Sequence, residues 1–338
     1  MRSQDVQTYG PTMQSWNNSG KATTRIGILL FDGFSNHCLA NTVEPLRAAN
    51  HLGRRVHYRW EYLTLSGAAA ISSSGLQIVP DGPLKDAAGD LLMVMPSYGV
   101  RSYLTDPVLR GLRSASARFA NLAGLDMGSW LLAAAGLLNG RIATIHWEEL
   151  TAFAEAFPDL TVARERFILD GNRITCSGAM ASFDLVLHLI VQAQGPALAL
   201  GVEQLFMAPG AAPSVPSVTA RTRLSRRAVA VMQDHIETPL PLPQVAEASR
   251  CSQRALELAI RKDFDMTPQQ LYKVLRLNMA RRLAETTTLP LAEVALRCGY
   301  RNASAMTRAF RERFDMTPGQ CRNHVDDQLP DRDKSDRT

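Results

Sequence analysis

The pentapeptide FDMTP stands at residues 264–268 and again at 314–318, fifty positions apart. Five identical residues rarely recur by chance, so the C-terminal third of the chain contains one structural unit built twice. Aligned on that phrase, "LPQVAEASRCSQRALELAIRKDF" (242–264) and "LAEVALRCGYRNASAMTRAFRERF" (291–314) place Val245 and Ala246 on Val294 and Ala295, and Phe264 on Phe314. The second copy is one residue longer, and the turn absorbs the extra residue. Each copy reads as a short helix, a polar turn and a longer helix opening at a capping residue, Ser252 or Asn302.

Short helix, turn and longer helix make a helix-turn-helix. The longer helices carry Gln253, Arg254, Glu257 and Arg261 in one copy and Ser304, Thr307, Arg308 and Arg311 in the other, opposite the apolar Leu256, Ile260 and Phe310. Long polar side chains on such a face suit the base edges of a major groove. With Ser252, Arg301 and Asn302 at the helix starts, these are the candidate DNA contacts. The connector "TPQQLYKVLRLNMARRLAETT" opens with Thr267 as cap and Pro268 at the first helical position. Its run of about 20 residues spans roughly 30 Å, against roughly 34 Å for one turn of B-DNA. A rod of that length presents two readers to successive grooves. The alternative is a tandem helical repeat that binds protein or merely packs.

Charge bears on that choice. Residues 1–220 hold 16 Lys/Arg against 17 Asp/Glu, whereas 221–325 hold 18 against 10, a net +8; residues 326–338 return to −2. A basic excess confined to one block points to a polyanion partner for that block. The boundary coincides with "APGAAPSVPSVTA" (208–220), which is small, Pro-rich and uncharged, as an interdomain linker is. The expected organisation is a flexible tail at 1–22, one domain over 23–207, a linker at 208–222, an all-α DNA-binding domain over 223–325, and a disordered polar tail at 326–338. In the last domain helical periods fall at 224–237, 242–249, 252–264, 268–286, 291–298 and 303–314.

Composition excludes several classes. With 46% hydrophobic and 20% charged residues the chain is an ordinary globular one. Its longest apolar stretches are about half of what a membrane span needs, and the first twenty residues lack the apolar core of a secretory signal. Five cysteines (38, 176, 251, 298, 321) contain no CxxC pair, against a disulfide framework or structural zinc. The expected setting is the cytoplasm, at the nucleoid, with no cofactor and no metal.

Residues 224–323 resemble the AraC/XylS family of bacterial transcription regulators. The resemblance rests on the "CGYRN" turn, the "F…F…TP" ending of each copy and the "LRLNMARRLAE" connector. Leu258 stands where that family usually has Arg, Met306 where it has Phe, and "PGQCR" replaces the usual "P..YR". The second reader is therefore expected to carry more of the sequence specificity.

The N-terminal domain alternates strands and helices: "RIGILLF", "VEPLRAANHL", "YRWEYLTLS", a polar hairpin at "SSSGLQIVPDG", "DLLMVMP", "DPVLRGLRSASARF", "NLAGLD" and the helix "GSWLLAAAGLLNG". That pattern indicates a doubly wound, flavodoxin-like α/β domain. At "LAGLDMGSW" a strand ends at Leu125, Asp126 occupies a tight turn and a Gly/Ala-rich helix follows; His146 comes twenty residues later. Enzymes hold a nucleophile at such an elbow.

This stretch, with "EPLRAAN", resembles the PfpI-like branch of the class I glutamine amidotransferase superfamily. The resemblance puts Asp126 on the nucleophilic Cys, His146 on the histidine and Glu44 near the acid of the first helix. A carboxylate does no thiolate acyl transfer, so no catalytic residue is expected. A carboxylate beside aromatic rings suits a cationic amine, which makes Glu44, Tyr98, Asp126, Met127, Trp130, His146 and Trp147 the candidate ligand residues. Core packing is the alternative for each tryptophan and for His146.

Together the two halves resemble the GlxA-type regulators, which govern amino-acid or quaternary-amine catabolism, usually as activators. The resemblance implies a homodimer that binds double-stranded promoter DNA and a small amine or amino-acid effector, and that engages RNA polymerase when activating. Two alternatives stay open: an amidohydrolase-like enzyme fused to a DNA-binding domain, and a ligand-independent DNA-binding dimer.

Overall fold

The computed structural model describes residues 23–206 and 222–326. The expected linker and both tails lie outside the described residues, apart from Thr222 and Asp326. The chain divides into two compact units, Met1–Gln194 and Gly195–Thr338.

The first unit is built on a seven-stranded sheet. Its strands are β1 (Thr24–Leu30), β2 (Tyr58–Thr64), β5 (Gly82–Pro83), β6 (Gly89–Met95), β7 (Phe119–Leu125), β10 (Phe167–Asp170) and β11 (Arg173–Cys176), in the order β10-β11-β7-β6-β1-β2-β5. All pairings are parallel except β10 with β11 at one edge. The unbroken apolar runs anticipate the central strands: Leu91, Leu92, Met93, Val94 and Met95 are all fully buried, as strands covered on both faces must be. Helices α1 (Asn36–Gly53), α2 (Asp106–Ala115), α3 (Gly128–Ala134), α4 (Leu150–Ala156) and α5 (Ala179–Gln194) supply the covering layers. The polar hairpin is present as β3 (Ala70–Ile71) against β4 (Gln77–Ile78), and β8 (Ile142–Ala143) pairs with β9 (Thr161–Val162). One element is shorter than its sequence suggests. The helix expected to run to Gly140 stops at Ala134, because Gly136 turns left-handed (φ 74°).

Among the described residues the regular elements of the second unit are all helices: α6 (Pro196–Phe206), α7 (Arg223–Asp234), α8 (Leu242–Ala248), α9 (Gln253–Phe264), α10 (Pro268–Thr286), α11 (Leu291–Arg297), α12 (Ala303–Phe314) and α13 (Pro318–Asp326). Helix α6, placed by sequence with the α/β domain, belongs here: Leu200 is buried in this unit's core and Gln204 accepts from Asn278 Nδ2 at 3.0 Å. Two small cores share α10. Leu271, Tyr272 and Leu275 face Val245, Leu256, Ile260 and Phe264, whereas Leu277 and Ala280 face Val294, Met306 and Phe310. Among the described residues no helix is long and apolar enough to cross a membrane.

Candidate functional site

The two candidate reader helices are held at both ends by residues in matching positions of the two copies. Ser252 Oγ accepts from Ala255 N at 3.2 Å, and Asn302 Oδ1 from Ala305 N at 2.8 Å. At the other end the Asp of each FDMTP adopts the left-handed conformation, φ 53° in both Asp265 and Asp315, closing α9 and α12 alike. The Thr then caps the next helix. Thr267 N donates to Gln270 Oε1 and Thr317 N to Gln320 Oε1, each at 2.8 Å, while each threonine hydroxyl accepts from its glutamine's amide. The repeated word thus spells a helix stop followed by a helix start.

Between those ends, Gln253, Arg254, Glu257, Leu258 and Arg261 are exposed on α9, and Ser304, Arg308 and Arg311 on α12, with Thr307 half-buried. Leu256, Ile260, Met306 and Phe310 are buried on the opposite faces. Arg301 and Asn302 are exposed at the start of α12, where Asn302 spends its carbonyl on the cap and retains its amide N–H groups for an acceptor. Ala303, Ser304, Thr307, Arg308, Arg311 and Glu312 line one surface concavity. All eleven residues that the sequence proposes as DNA contacts lie on α9 and α12 or at their starts, none of them fully buried. The second turn is tied down by α10: Arg276 donates to Cys298 O at 2.8 Å and to Gly299 O at 2.6 Å, and its guanidinium sits 4.2 Å above the Tyr300 ring.

The elbow in the α/β unit has the backbone its sequence implies. Asp126 follows β7 directly, is left-handed at φ 56° and is only 7% exposed. Two glycines allow this turn. A Cβ on Gly128 would lie 2.1 Å from Val94 O, and one on Gly124 would lie 2.5 Å from Ser129 N, so only glycines let α3 start this close to β6 and β7. Burial raises the Asp126 carboxyl above the usual carboxylate range, against opposing effects of a hydrogen bond with Ser97 and of His146 nearby. Helix α3 begins at Gly128, with Met127 as a cap that makes no side-chain bond; Asp126 is not its cap.

The other candidate ligand residues divide. His146 is half-buried, its ring close to the Gly178 backbone and its Nδ1 3.8 Å from Glu148 Oε2. Tyr98 and Trp147 are exposed, at 71% and 67%. Trp130 instead lies in the core, its ring 5.6 Å from Phe153 and 5.5 Å from Phe157, with the Arg101 guanidinium 4.2 Å from its face. The aromatic surface proposed for a ligand cation already carries an internal one, so Trp130 is removed from the wall. Met127 packs on the same core. Glu44 does not join the cluster: its side chain faces solvent and pairs with Arg47 at 2.7 Å.

Sequence reasoning missed what α1 does present to the elbow. Cys38, fully buried, has its Sγ 3.2 Å from Ser182 Oγ, and Cys176 Sγ lies 3.8 Å from the same hydroxyl. Burial pushes the Cys38 thiol well up, and the Asp126 charge raises it further despite the Ser182 bond; burial pushes Cys176 up to about 12. Both are neutral thiols at physiological pH, so neither is a ready nucleophile. The available sequence signal is helical spacing: Cys38, Leu39, Thr42, Val43 and Leu46 fall on one face of α1, and all are buried. Among the described residues no group of three or more His, Cys, Asp or Glu is placed to hold a metal ion.

A helix-turn-helix domain model matches residues 245–324. The chain is 39% identical over 303 residues to the HTH-type transcriptional regulator CdhR of Pseudomonas aeruginosa, covering 87% of this chain and 90% of that one. It is 32% identical over 319 residues to the HTH-type transcriptional regulator GlxA of Rhizobium meliloti, covering 90% and 98%. The isonitrile hydratase of Pseudomonas putida is 30% identical over 230 residues, 61% of this chain and 96% of the hydratase.

Proposed function

The chain belongs to the AraC family of helix-turn-helix, DNA-binding transcription regulators, and from that premise we propose that its α/β domain is a non-catalytic sensor for a small cationic metabolite. The observation that carries this reading is Asp126: a carboxyl at the carboxyl ends of parallel strands, where doubly wound sheets bind ligands, held by a left-handed backbone and nine-tenths buried. Exposed Tyr98 and Trp147 and half-buried His146 are the remaining candidate walls for an amine or quaternary ammonium group. The regulator acts as a cytoplasmic homodimer on the promoter of a catabolic operon, engaging RNA polymerase as an activator, with an amino acid or quaternary amine as effector.

Similarity to a hydratase, together with the elbow, favours an enzymatic second reading. Asp126 in the elbow and two neutral, buried thiols oppose it, because acyl transfer there needs a thiolate.

Asp126→Asn tests the sensor reading. Its expected effect is to move the half-maximal effector concentration by one to two decades, a lost charge-assisted contact being worth roughly 1.5–3 kcal/mol. Stability moves the other way. Because the folded chain holds the Asp126 proton more tightly than the unfolded one, this residue's contribution falls as pH climbs from the ordinary carboxylate range through the raised value. The Asn variant is expected to melt above the parent at neutral pH, the gap closing in acid. A thermal-shift series over amino acids, betaines and carnitine-like amines identifies the effector for the dose curve. An unchanged half-maximal concentration ends the anchor role.

A further inference from the structure

We propose that Leu258 is a base-reading residue whose side chain contacts the 5-methyl group of a thymine in the major groove. Leu258 is 63% exposed on α9. It lies between Arg254, one turn earlier, and Arg261 and Lys262, one turn later, all of them exposed. The buried residues of the helix are Leu256, Ile260, Asp263 and Phe264, and helical spacing puts Leu256 and Ile260 on the side opposite Leu258. An apolar side chain inside a basic face is placed for the apolar part of a polyanion, and thymine methyls are the apolar groups that a major groove presents.

The duplicated frame gives the second observation. With α9 and α12 both twelve residues long, capped at Ser252 and Asn302 and stopped at Asp265 and Asp315, residue 258 occupies the place of residue 308. That place holds Arg308, exposed and on the surface concavity, in the second reader. One position therefore carries a guanidinium in one copy, suited to guanine O6 and N7, and an isobutyl group in the other. Leucine offers no hydrogen bond, so it penalises a base edge whose polar groups it would desolvate and leave unpaired. The first reader selects partly by that exclusion.

The inference rests on DNA reading by α9 and α12, and its test separates the two. The full-length protein is used to select sites from a random duplex library. Each thymine of the recovered site is then replaced in turn by uracil, which removes only the 5-methyl group. Affinities at one fixed salt concentration are measured for the parent and for Leu258→Ala, whose exposed position leaves the melting temperature unchanged. At one thymine, uracil is expected to weaken the parent about fourfold, the worth of one buried methyl, and to leave Leu258→Ala unaffected. Leu258→Arg is expected to replace thymine by guanine at that position in a repeated selection. The proposal is overturned if no thymine shows a Leu258-dependent loss, or if Leu258→Ala weakens selected and random duplexes equally. Recovery of no sequence at all overturns specific DNA reading and this inference with it.

Discussion

The two helix-turn-helix copies share their ends and differ in their middles. Asp265 and Asp315 have the same φ, and Thr267 and Thr317 make the same reciprocal bonds with a glutamine three residues on. Yet Phe264 is 1% exposed in a core of aliphatic side chains with Met232 and Tyr272. Phe314, in the same word, is half-buried against Phe310 at 4.6 Å with the guanidinium groups of Arg281 and Arg313 each 5.4 Å from its ring. The turns diverge too. The left-handed residue closing the first short helix is Arg250; the one closing the second is Gly299, where a Cβ would meet Ile236 O at 2.6 Å and Pro239 Cγ at 2.5 Å. Duplicated residues thus encode helix ends, which are local, while packing and reading have been free to drift between copies.

The largest expected asymmetry is in the cores. Phe264→Ala should cost about 3–5 kcal/mol in urea denaturation, and Phe314→Ala clearly less, because part of its ring already meets solvent and charge. Equal losses would break the comparison. The turns come next. Gly299→Ala forces a Cβ onto the Ile236 carbonyl at a positive φ and should cost about 2–3 kcal/mol, whereas Arg250→Gly relieves a left-handed residue and should be neutral or stabilising. Both are read from melting curves.

Base reading follows. Arg308→Ala should lose roughly 1–3 kcal/mol on the selected site and much less on random duplex, more than Leu258→Ala loses on the same site. A uniform loss would assign Arg308 to phosphate. The smallest effect should be the most symmetrical: Asp265→Gly and Asp315→Gly each remove a left-handed penalty and should each stabilise by about 0.5–1 kcal/mol. A difference between the two would show that the shared ends are not energetically equivalent.

Much of this was legible from residues. The helices around both turns begin and end within two or three residues of their sequence-assigned limits, most within one, because Ser, Asn, Thr and Pro caps act on neighbouring backbone. The buried strands announced themselves as unbroken apolar runs. Helix α13 has no counterpart among the helices expected from sequence, and α6 falls inside the expected bounds of the α/β domain; an apolar stretch such as "PALALGVEQLF" states that it will be buried but not against what. The elbow divided in the same way. The left-handed turn at Asp126 is legible from its strand-turn-helix setting, yet Glu44, the candidate from the first helix, faces water while Cys38, six residues earlier, is within the electrostatic reach of Asp126.

What the sequence by itself determined is the set of short-range choices: two duplicated motifs, their caps and stops, the alternation of strand and helix, the basic block, and an elbow with a carboxylate in place of a thiol. Those depend on contacts within about four residues, which the chain specifies in place. Only the tertiary structure decided which side chains meet: that Arg101 covers Trp130, that Cys38 and Cys176 both approach Ser182, that Gly299 lies against Ile236, and that one FDMTP phenylalanine is fully buried while its twin is not. Apart from Cys176 with Ser182, six residues apart, such contacts join residues tens to more than a hundred positions apart, and their energies depend on burial and distance, which no local pattern records.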